Sequence, residues 1–263
     1  MIHYRVIEDN KEEWVVFIHP LGGSSATFFK QVREFKKHFN LLLIDLPGHG
    51  KSKKGITNLE PSMIVKDILN ILDDLKIESA HFVGMCLGNG VIDFIYENNK
   101  SRIKSIVYGA AVKEIGLINK FLLQVGHIFK HLMPHHFLYN LFALVMMPKN
   151  NHKESREIFV REAKKMDRND FLHWYNIIME KKDYYENKKQ LVKDSINKLY
   201  IYGSEDHLFL SKAKKYVKKD KNAVIEILQN VGHMCHIESP KEFNHSVILF
   251  INQQNEMSSS FQI

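Results

Sequence analysis

Residues 80–98 allow few architectures. A short apolar run at 80–83 reads as a buried strand, and Val91, Ile92, Phe94 and Ile95 follow at helical spacing. Between them Gly84, Gly88 and Gly90 crowd one sharp turn, with Cys86 at its apex. Gly84-Met85-Cys86-Leu87-Gly88 has the form glycine, any residue, nucleophile, any residue, glycine. Small flanking residues suit a strained backbone with neighbouring chains close by. Such a turn lifts the apex side chain out of the sheet. The helix that follows aims its N-terminal N–H groups and positive dipole end at that side chain. For a thiol this setting favours the thiolate, which is the reactive form. Taken alone, the pentapeptide also fits a buried structural thiol, because free cysteine is among the most buried residue types.

The rest of the chain supplies layers for such a turn. Residues 14–18 and 41–44 are continuous apolar runs, the pattern of strands covered on both faces. Residues 2–7 suit an edge strand, and 103–108, 199–202 and 224–228 suit three more strands. A helix is expected with Phe28, Phe29, Val32 and Phe35 on one face. A second starts at Pro61, with Ile64, Ile68, Ile71, Leu72 and Leu75 periodic. A last one starts near Pro240 and carries Phe243, Val247, Phe250 and Ile251 on one face, before a tail from Met257 that is expected to fray. Strands alternating with helices predict an α/β fold: a mostly parallel sheet flanked by helices.

The rhythm breaks between 112 and 196, where helical periodicity runs without a strand. Residues 115–147 hold a surplus of apolar side chains, among them Phe121, Leu132, Phe137, Leu141 and Met146. Phe171, Trp174, Tyr175 and Ile178 form a further stripe. The chain therefore divides into a first core part, 1–111, a helical cap or lid insertion, 112–196, and a second core part, 197–263. Long insertions between sheet strands serve as lids or pocket walls. Most of these apolar faces are expected to pack on each other, and the surplus at 115–147 to line an apolar pocket.

Composition removes several classes of function. The formal charge is +7, but the lysines are scattered. The densest run, 212–221, sets Ala213, Tyr216 and Val217 at helix-face spacing, which makes it a solvated helix back rather than a nucleic-acid patch. Two cysteines, Cys86 and Cys235, are too few for a disulfide framework and fit a reducing compartment. No stretch reaches the roughly 18 apolar residues of a membrane span, and the first ten residues hold no apolar signal core. A cytoplasmic protein without an integral membrane segment, monomeric or homodimeric, is the expectation. Gly48-His49-Gly50-Lys51-Ser52 looks like the end of a phosphate-binding loop, but Asp45 stands where that loop needs glycine. Gly88-Asn89-Gly90 meets Asp93 where a dinucleotide fingerprint needs its third glycine. His127, His131 and His135 recur at four-residue spacing, but Pro134 interrupts the helix and the metalloprotease glutamate is missing. They read as a polar stripe, so neither metal nor cofactor is expected.

Two later loops complete a chemical set. Residues 199–202 run into Gly203-Ser204-Glu205-Asp206, and the last strand is followed by Asn230-Val231-Gly232-His233. Nucleophile, acid and histidine thus follow in that order, each just past the C-terminal end of a buried strand, where open parallel sheets place their sites. Add His19-Pro20-Leu21-Gly22-Gly23, the loop from Asp45 to Ser52, and Glu238-Ser239-Pro240 with Phe243-Asn244. This ordered set resembles the α/β-hydrolase superfamily over nearly the whole chain. The resemblance implies an α/β-hydrolase fold with a helical cap. It also implies Cys86 as nucleophile, His233 as general base and then acid, and Asp206 as the group that orients the imidazole. Backbone N–H groups of Leu21 and Leu87 would hold the oxyanion. The loop from Asp45 to Ser52 would be scaffold.

Two departures shape the reading. Cysteine stands where the family usually has serine, and Pro20 stands where glycine is usual and removes one N–H. A thiolate attacks acyl groups readily and leaves a thioester intermediate. The expected activity is cleavage of an ester or thioester of a small molecule with a fairly apolar acyl part. An acyltransferase of the same fold and a low-turnover ligand sensor are the alternatives. Cys235, two residues after His233, reads as an inert residue at a helix start, with a redox-sensitive pairing to Cys86 as the sharper alternative. His19 is read as a loop anchor and His207 as a bystander at the pocket edge.

Overall fold

Six apolar runs and one edge segment become seven strands of a single sheet. They are β1 (His3–Ile7), β2 (Trp14–Ile18), β3 (Asn40–Asp45), β4 (Ala80–Met85), β5 (Ile103–Gly109), β6 (Asn197–Gly203) and β7 (Ala223–Leu228). The spatial order is β1-β3-β2-β4-β5-β6-β7. β1 runs antiparallel to β3 and every other pair is parallel. The coordinates form a computed structural model that describes residues 2–55, 59–113, 116–130, 132–187 and 196–260.

Strand alternation sorts the core into two layers. Val16, Ile18, Phe82 and Ile106 face α2 (Pro61–Asp74) and α3 (Leu87–Asn98). Val15, Phe17, Val83, Val107 and Ile201 face the other way, toward α1 (Phe29–Phe35) and α10 (Pro240–Ser260). Full burial of each such side chain contributes about 1.5–3 kcal/mol, so the apolar runs commit the chain to a sheet covered on both faces. The register sets Ile18 beside Gly84, Gly84 beside Tyr108, and Gly203 beside Leu228. The chain therefore leaves β2, β4, β6 and β7 at one rim.

Between β5 and β6 lie four helices, α4 (Leu117–Phe129), α5 (His135–Met146), α6 (Lys153–Ala163) and α7 (Arg168–Asn187). Phe171, Trp174 and Tyr175 of α7 are buried, as their spacing predicts. Trp174 Nε1–H donates to the Pro47 carbonyl at 2.8 Å, and Ser24 Oγ–H donates to Glu162 of α6 at 3.0 Å. These bonds tie the inserted helices to the loops after β2 and β3. Two short helices complete the chain: α8 (Leu210–Val217), which buries Ala213 and Val217 and turns its lysines outward, and α9 (Cys235–Glu238). Among the described residues no helix is long and apolar enough to cross a membrane.

Three local expectations change. Phe29 faces solvent, and Gln31 is buried in its place, donating to the His236 carbonyl at 2.7 Å and to Asn244 at 3.1 Å. A polar side chain wins that position because it bonds α1 to the α9–α10 segment. The C-terminal helix holds through Ser260 rather than fraying at Met257, and 261–263 lie outside the described residues. Much of the apolar surplus at 115–147 lies on the surface and not in a pocket: Phe121, Leu132, Phe137 and Leu141 are all exposed.

Candidate active site

The turn after β4 is built by exclusion. Cys86 sits at φ 47°, ψ −106°, a left-handed backbone conformation that few side-chain-bearing residues adopt. A Cβ on Gly88 would overlap the Ile18 carbonyl oxygen, and one on Gly84 would lie 2.6 Å from Asn89 Oδ1 and Ile92 Cδ1. Both glycines are therefore required for α3 to start this close to β2 and β4. The Cys86 N–H donates to the Gly109 carbonyl at 3.0 Å, which pins the strained residue to β5. Cys86 is half-buried, and Leu87 behind it is the first residue of α3, where an N–H has no intrahelical partner.

The acid and the histidine meet on the same rim. His233 Nδ1 and Asp206 Oδ2 are 2.9 Å apart, and both residues are 1% exposed. With the carboxylate as acceptor, Nδ1 carries the proton and donates it. Nε2 is sealed from solvent and completes no aligned hydrogen bond. The Cys86 thiol is nonetheless near enough to act on the ring. Burial by itself would lower the imidazole pKa; the Asp206 charge, then the Cys86 charge, the Asp206 hydrogen bond and the adjacent Cys86 thiol outweigh it and raise the value to about 10. Sulfur and ring are adjacent but not aligned, which is common for catalytic contacts before substrate binds.

The loop after β2, which carries Leu21, is held by two neutral histidines. His49 Nε2 accepts the Gly22 N–H at 2.9 Å while its Nδ1–H donates to the Pro47 carbonyl at 3.0 Å. His19 Nε2 accepts the Leu46 N–H at 2.9 Å and its Nδ1–H donates to Pro20 at 2.8 Å. Burial pushes His19 below its ordinary pKa, and burial together with the His19 charge pushes His49 to about 3. Both rings stay uncharged and serve as rigid struts between the loop after β2 and the loop after β3. The Gly22 N–H is thereby used up. Leu21, buried at the turn, remains the loop residue the resemblance points to for oxyanion binding.

The acid and histidine loops are braced from α6. Glu238 Oε2 accepts the Gly232 N–H at 2.6 Å, and Ser155 Oγ–H donates to Glu238 Oε1 at 2.8 Å. Glu205 binds Lys149 at 2.6 Å, Asn151 at 2.9 Å and His152 at 2.8 Å. The Asn151 and Lys149 bonds hold its carboxyl down at about 2, so this brace stays ionised.

One residue at the site has no counterpart in the sequence reading. Tyr139 of α5 is buried, and a Cβ on Gly22 would lie 2.8 Å from its hydroxyl. Burial and then the Cys86 charge push its pKa upward, so the phenol stays protonated beside Cys86 and the loop after β2 alike. Among the described residues its hydroxyl has the Met166 sulfur as partner, a weak acceptor 3.8 Å away. Tyr139 is the one tyrosine in the apolar stretch 115–147, a signal that was available.

Cys235 does not join the site. It is fully buried in the core layer shared with Phe243 and Val247, its sulfur 3.9 Å from the Ile201 carbonyl, and both cysteines are free thiols. Burial pushes its pKa far up, the environment of an inert thiol. His207 is exposed. Of the spaced histidines, His131 lies outside the described residues; among the described residues no group of three potential ligands could hold a metal ion.

A parallel sheet with one antiparallel edge strand, a sharp glycine-flanked turn carrying Cys86 after β4, and loops carrying Asp206 and His233 after β6 and β7 define a fold class. The family model for the alpha/beta hydrolase fold matches residues 13–240, and the chain belongs to that family. It is 23% identical to human monoacylglycerol lipase ABHD6 over 270 residues, spanning 90% of this chain and 74% of that one. It is also 23% identical to putative esterase/lipase 2 of Mycoplasma pneumoniae, spanning 87% of this chain and 85% of that one. The hydrolase olei00960 of Oleispira antarctica has the same fold, with a TM-score of 0.81 at 17% identity over 95% of this chain and 94% of that one.

Proposed function

We propose that the protein cleaves esters or thioesters of small molecules with a fairly apolar acyl part, through a covalent thioester on Cys86. The observation that carries this reading is the buried His233–Asp206 hydrogen bond beside a thiol at the head of α3. Relatives named as lipases and esterases support it.

The chemistry follows from the charges. With Cys86 as thiolate and His233 as imidazolium, the sulfur attacks the acyl carbonyl and a tetrahedral oxyanion forms. The N–H groups of Leu87 and Leu21 face that oxygen. His233 gives its Nε2 proton to the departing alkoxide or thiolate, and the thioester is left. The thioester carries no charge, so the part of the ring's proton affinity that came from Cys86 disappears. The imidazole then takes a proton from water, the hydroxide attacks the thioester, and acid and thiolate are released. Asp206 keeps Nδ1 protonated throughout and offsets the ring's positive charge. Residues 112–196 act as a cap over this rim, and a reducing, cytoplasmic setting keeps the nucleophile as a thiol.

The test is a panel of p-nitrophenyl esters and acyl-CoA thioesters with intact-mass detection. An acyl-sized increment on the Cys86 peptide, turnover lost in Cys86→Ala and partly kept in Cys86→Ser, is the expected result. Retention of ligand without turnover in all three forms would instead mark a sensor. Acyl loss that depends on an added alcohol or thiol would mark a transferase.

A further inference from the structure

α5 brings one polar atom into an otherwise apolar layer. Tyr139 is 2% exposed, its ring packed on Phe159 with centroids 5.7 Å apart and on Phe171 at 5.2 Å. The packing fixes the ring, and the hydroxyl is fixed with it. A Cβ on Gly22 would lie 2.8 Å from that hydroxyl, which therefore rests against the loop after β2. Its acceptor among the described residues is the Met166 sulfur at 3.8 Å, a weak one. Phenylalanine would fill the same space without burying an underused donor, which is destabilising. A hydroxyl kept in such a place suits a partner that arrives with the substrate.

The loop it touches is short of donors. Pro20 has no N–H. Gly22 gives its N–H to His49 Nε2 at 2.9 Å, and Gly23 gives its own to the Pro20 carbonyl at 2.9 Å. Between Pro20 and Gly23 this leaves the Leu21 N–H to face an incoming oxygen. Leu87 at the head of α3 supplies a second N–H. The neighbouring side chains do not add to these, because the His19 and His49 rings are engaged through both nitrogens. Tyr139 is placed to do so. It lies against Gly22, the residue after Leu21, and is near enough to Cys86 for the sulfur's charge to act on it.

We propose that the Tyr139 hydroxyl donates a hydrogen bond to the substrate's carbonyl oxygen as it becomes the oxyanion, a third donor beside the N–H groups of Leu21 and Leu87. The proposal rests on the acyl-enzyme reading above. No proton is transferred in this contact. As the sulfur–carbon bond forms and the carbon–oxygen double bond becomes single, the phenol O–H turns from the Met166 sulfur to the charged oxygen and remains a phenol. The inserted helices then contribute to the chemistry itself and not to access alone.

The test compares the parent with Tyr139→Phe in four measurements: turnover of a p-nitrophenyl ester, affinity for an alkyl trifluoromethyl ketone, alkylation of Cys86 by iodoacetamide, and melting. The ketone takes up the Cys86 sulfur to give an anionic tetrahedral adduct; alkylation by iodoacetamide makes no oxyanion. In Tyr139→Phe, kcat is expected to fall by about 10²-fold while KM stays within about twofold. Ketone affinity falls by a similar factor, the alkylation rate keeps the parent's value, and the melting temperature equals or exceeds the parent's. A parent that turns over ester and takes an acyl increment on Cys86, with Tyr139→Phe matching its kcat, overturns this proposal alone. A parent that does neither removes the acyl-enzyme reading and this proposal with it. Alkylation that slows in step with kcat would mean that Tyr139 acts on the sulfur, and overturns the proposal. So does a variant that melts far below the parent, because the hydroxyl would then be bonded within the fold.

Discussion

The sheet rim and the inserted helices meet at the same site but are specified in opposite ways. At the rim each position is fixed by what cannot fit: Gly88 by the Ile18 carbonyl, Gly84 by Asn89, Cys86 by its own left-handed backbone. In the insertion, placement rests on apolar packing of α5, α6 and α7 against the main core, with Phe159, Phe171 and Trp174 buried there, and on polar ties such as Trp174 to Pro47, Ser24 to Glu162 and Tyr175 Oη–H to the Leu123 carbonyl. The outward faces of α4 and α5 are left unpacked. Steric exclusion makes the rim intolerant and readable; packing and bonds that can be lost one at a time make the insertion more tolerant. Changes at the rim should therefore cost most, and changes in the insertion should be graded by which tie they cut.

The largest effect belongs to the nucleophile. Cys86→Ala is expected to lower kcat/KM on acyl esters by about 10³-fold or more with only a small drop in melting temperature, since it empties no core position and removes only the Cys86 share of the His233 pKa rise. Residual turnover near the wild-type level would remove Cys86 from the chemistry. Asp206→Asn is expected to lower kcat by about 10³- to 10⁴-fold. It also carries a second readout, the titration of His233 by NMR. Because the Asp206 charge is the foremost cause of the rise to about 10, that variant lowers the His233 pKa most, and Cys86→Ala lowers it less. The sign bears on stability too. A raised imidazole pKa contributes stability that is complete below the free histidine value of about 6.5 and fades as pH climbs through about 10. The denaturant midpoint of Asp206→Asn should therefore lie below the parent's at neutral pH and converge on it as pH approaches the upper value.

Gly88→Ala tests the rim as structure. The new methyl overlaps the Ile18 backbone oxygen, which cannot rotate away, so a loss of about 2–4 kcal/mol is expected in denaturant unfolding. Trp174→Phe tests the insertion at its firmest tie. It keeps the buried ring and removes one of the two donors to the Pro47 carbonyl, the His49 Nδ1–H being the other, at a cost of about 0.5–1.5 kcal/mol. That carbonyl belongs to the residue that also fixes His49 and, through it, Gly22. A kcat loss of roughly 3- to 10-fold is therefore expected as well. Equal stability losses in the two variants would erase the contrast between rim and insertion.

The same contrast explains what the sequence made legible. Seven strands, the elbow and the loops carrying Asp206 and His233 could be read because each is a short local pattern enforced by backbone chemistry. The exchange of Phe29 for Gln31 could not, because it depends on carbonyl and amide partners more than two hundred residues away, on α9 and α10. Periodicity showed that α4 and α5 are apolar, but a helix apolar on two sides does not declare which side meets water. Tyr139 was hidden for the same reason: helical spacing makes it one more inward residue, and only the approach of Gly22 gives its hydroxyl a place in the site. His49 read as scaffold, and scaffold it is, although its particular task of holding the Gly22 N–H needs the three-dimensional meeting of two loops.

The smallest expected effect separates the two thiols. Cys86 and Cys235 lie close to the same histidine in different senses, one beside its ring in space, the other two residues on in sequence. Cys235 is sealed in the layer with Phe243 and Val247, its sulfur 3.9 Å from the Ile201 carbonyl. Cys235→Ala removes one buried sulfur and should cost about 1 kcal/mol while leaving kcat/KM within a factor of about two, the scatter left by a distant packing change. Under diamide, Cys86 should still be modified at the parent's rate in that variant. Intact mass of the parent should show no internal disulfide, because Cys235 has neither exposure nor a favoured thiolate. An internal Cys86–Cys235 bond that forms as fast as activity is lost would mean that the rim opens far enough to release a core thiol, and the rigidity argued for the elbow would fall with it.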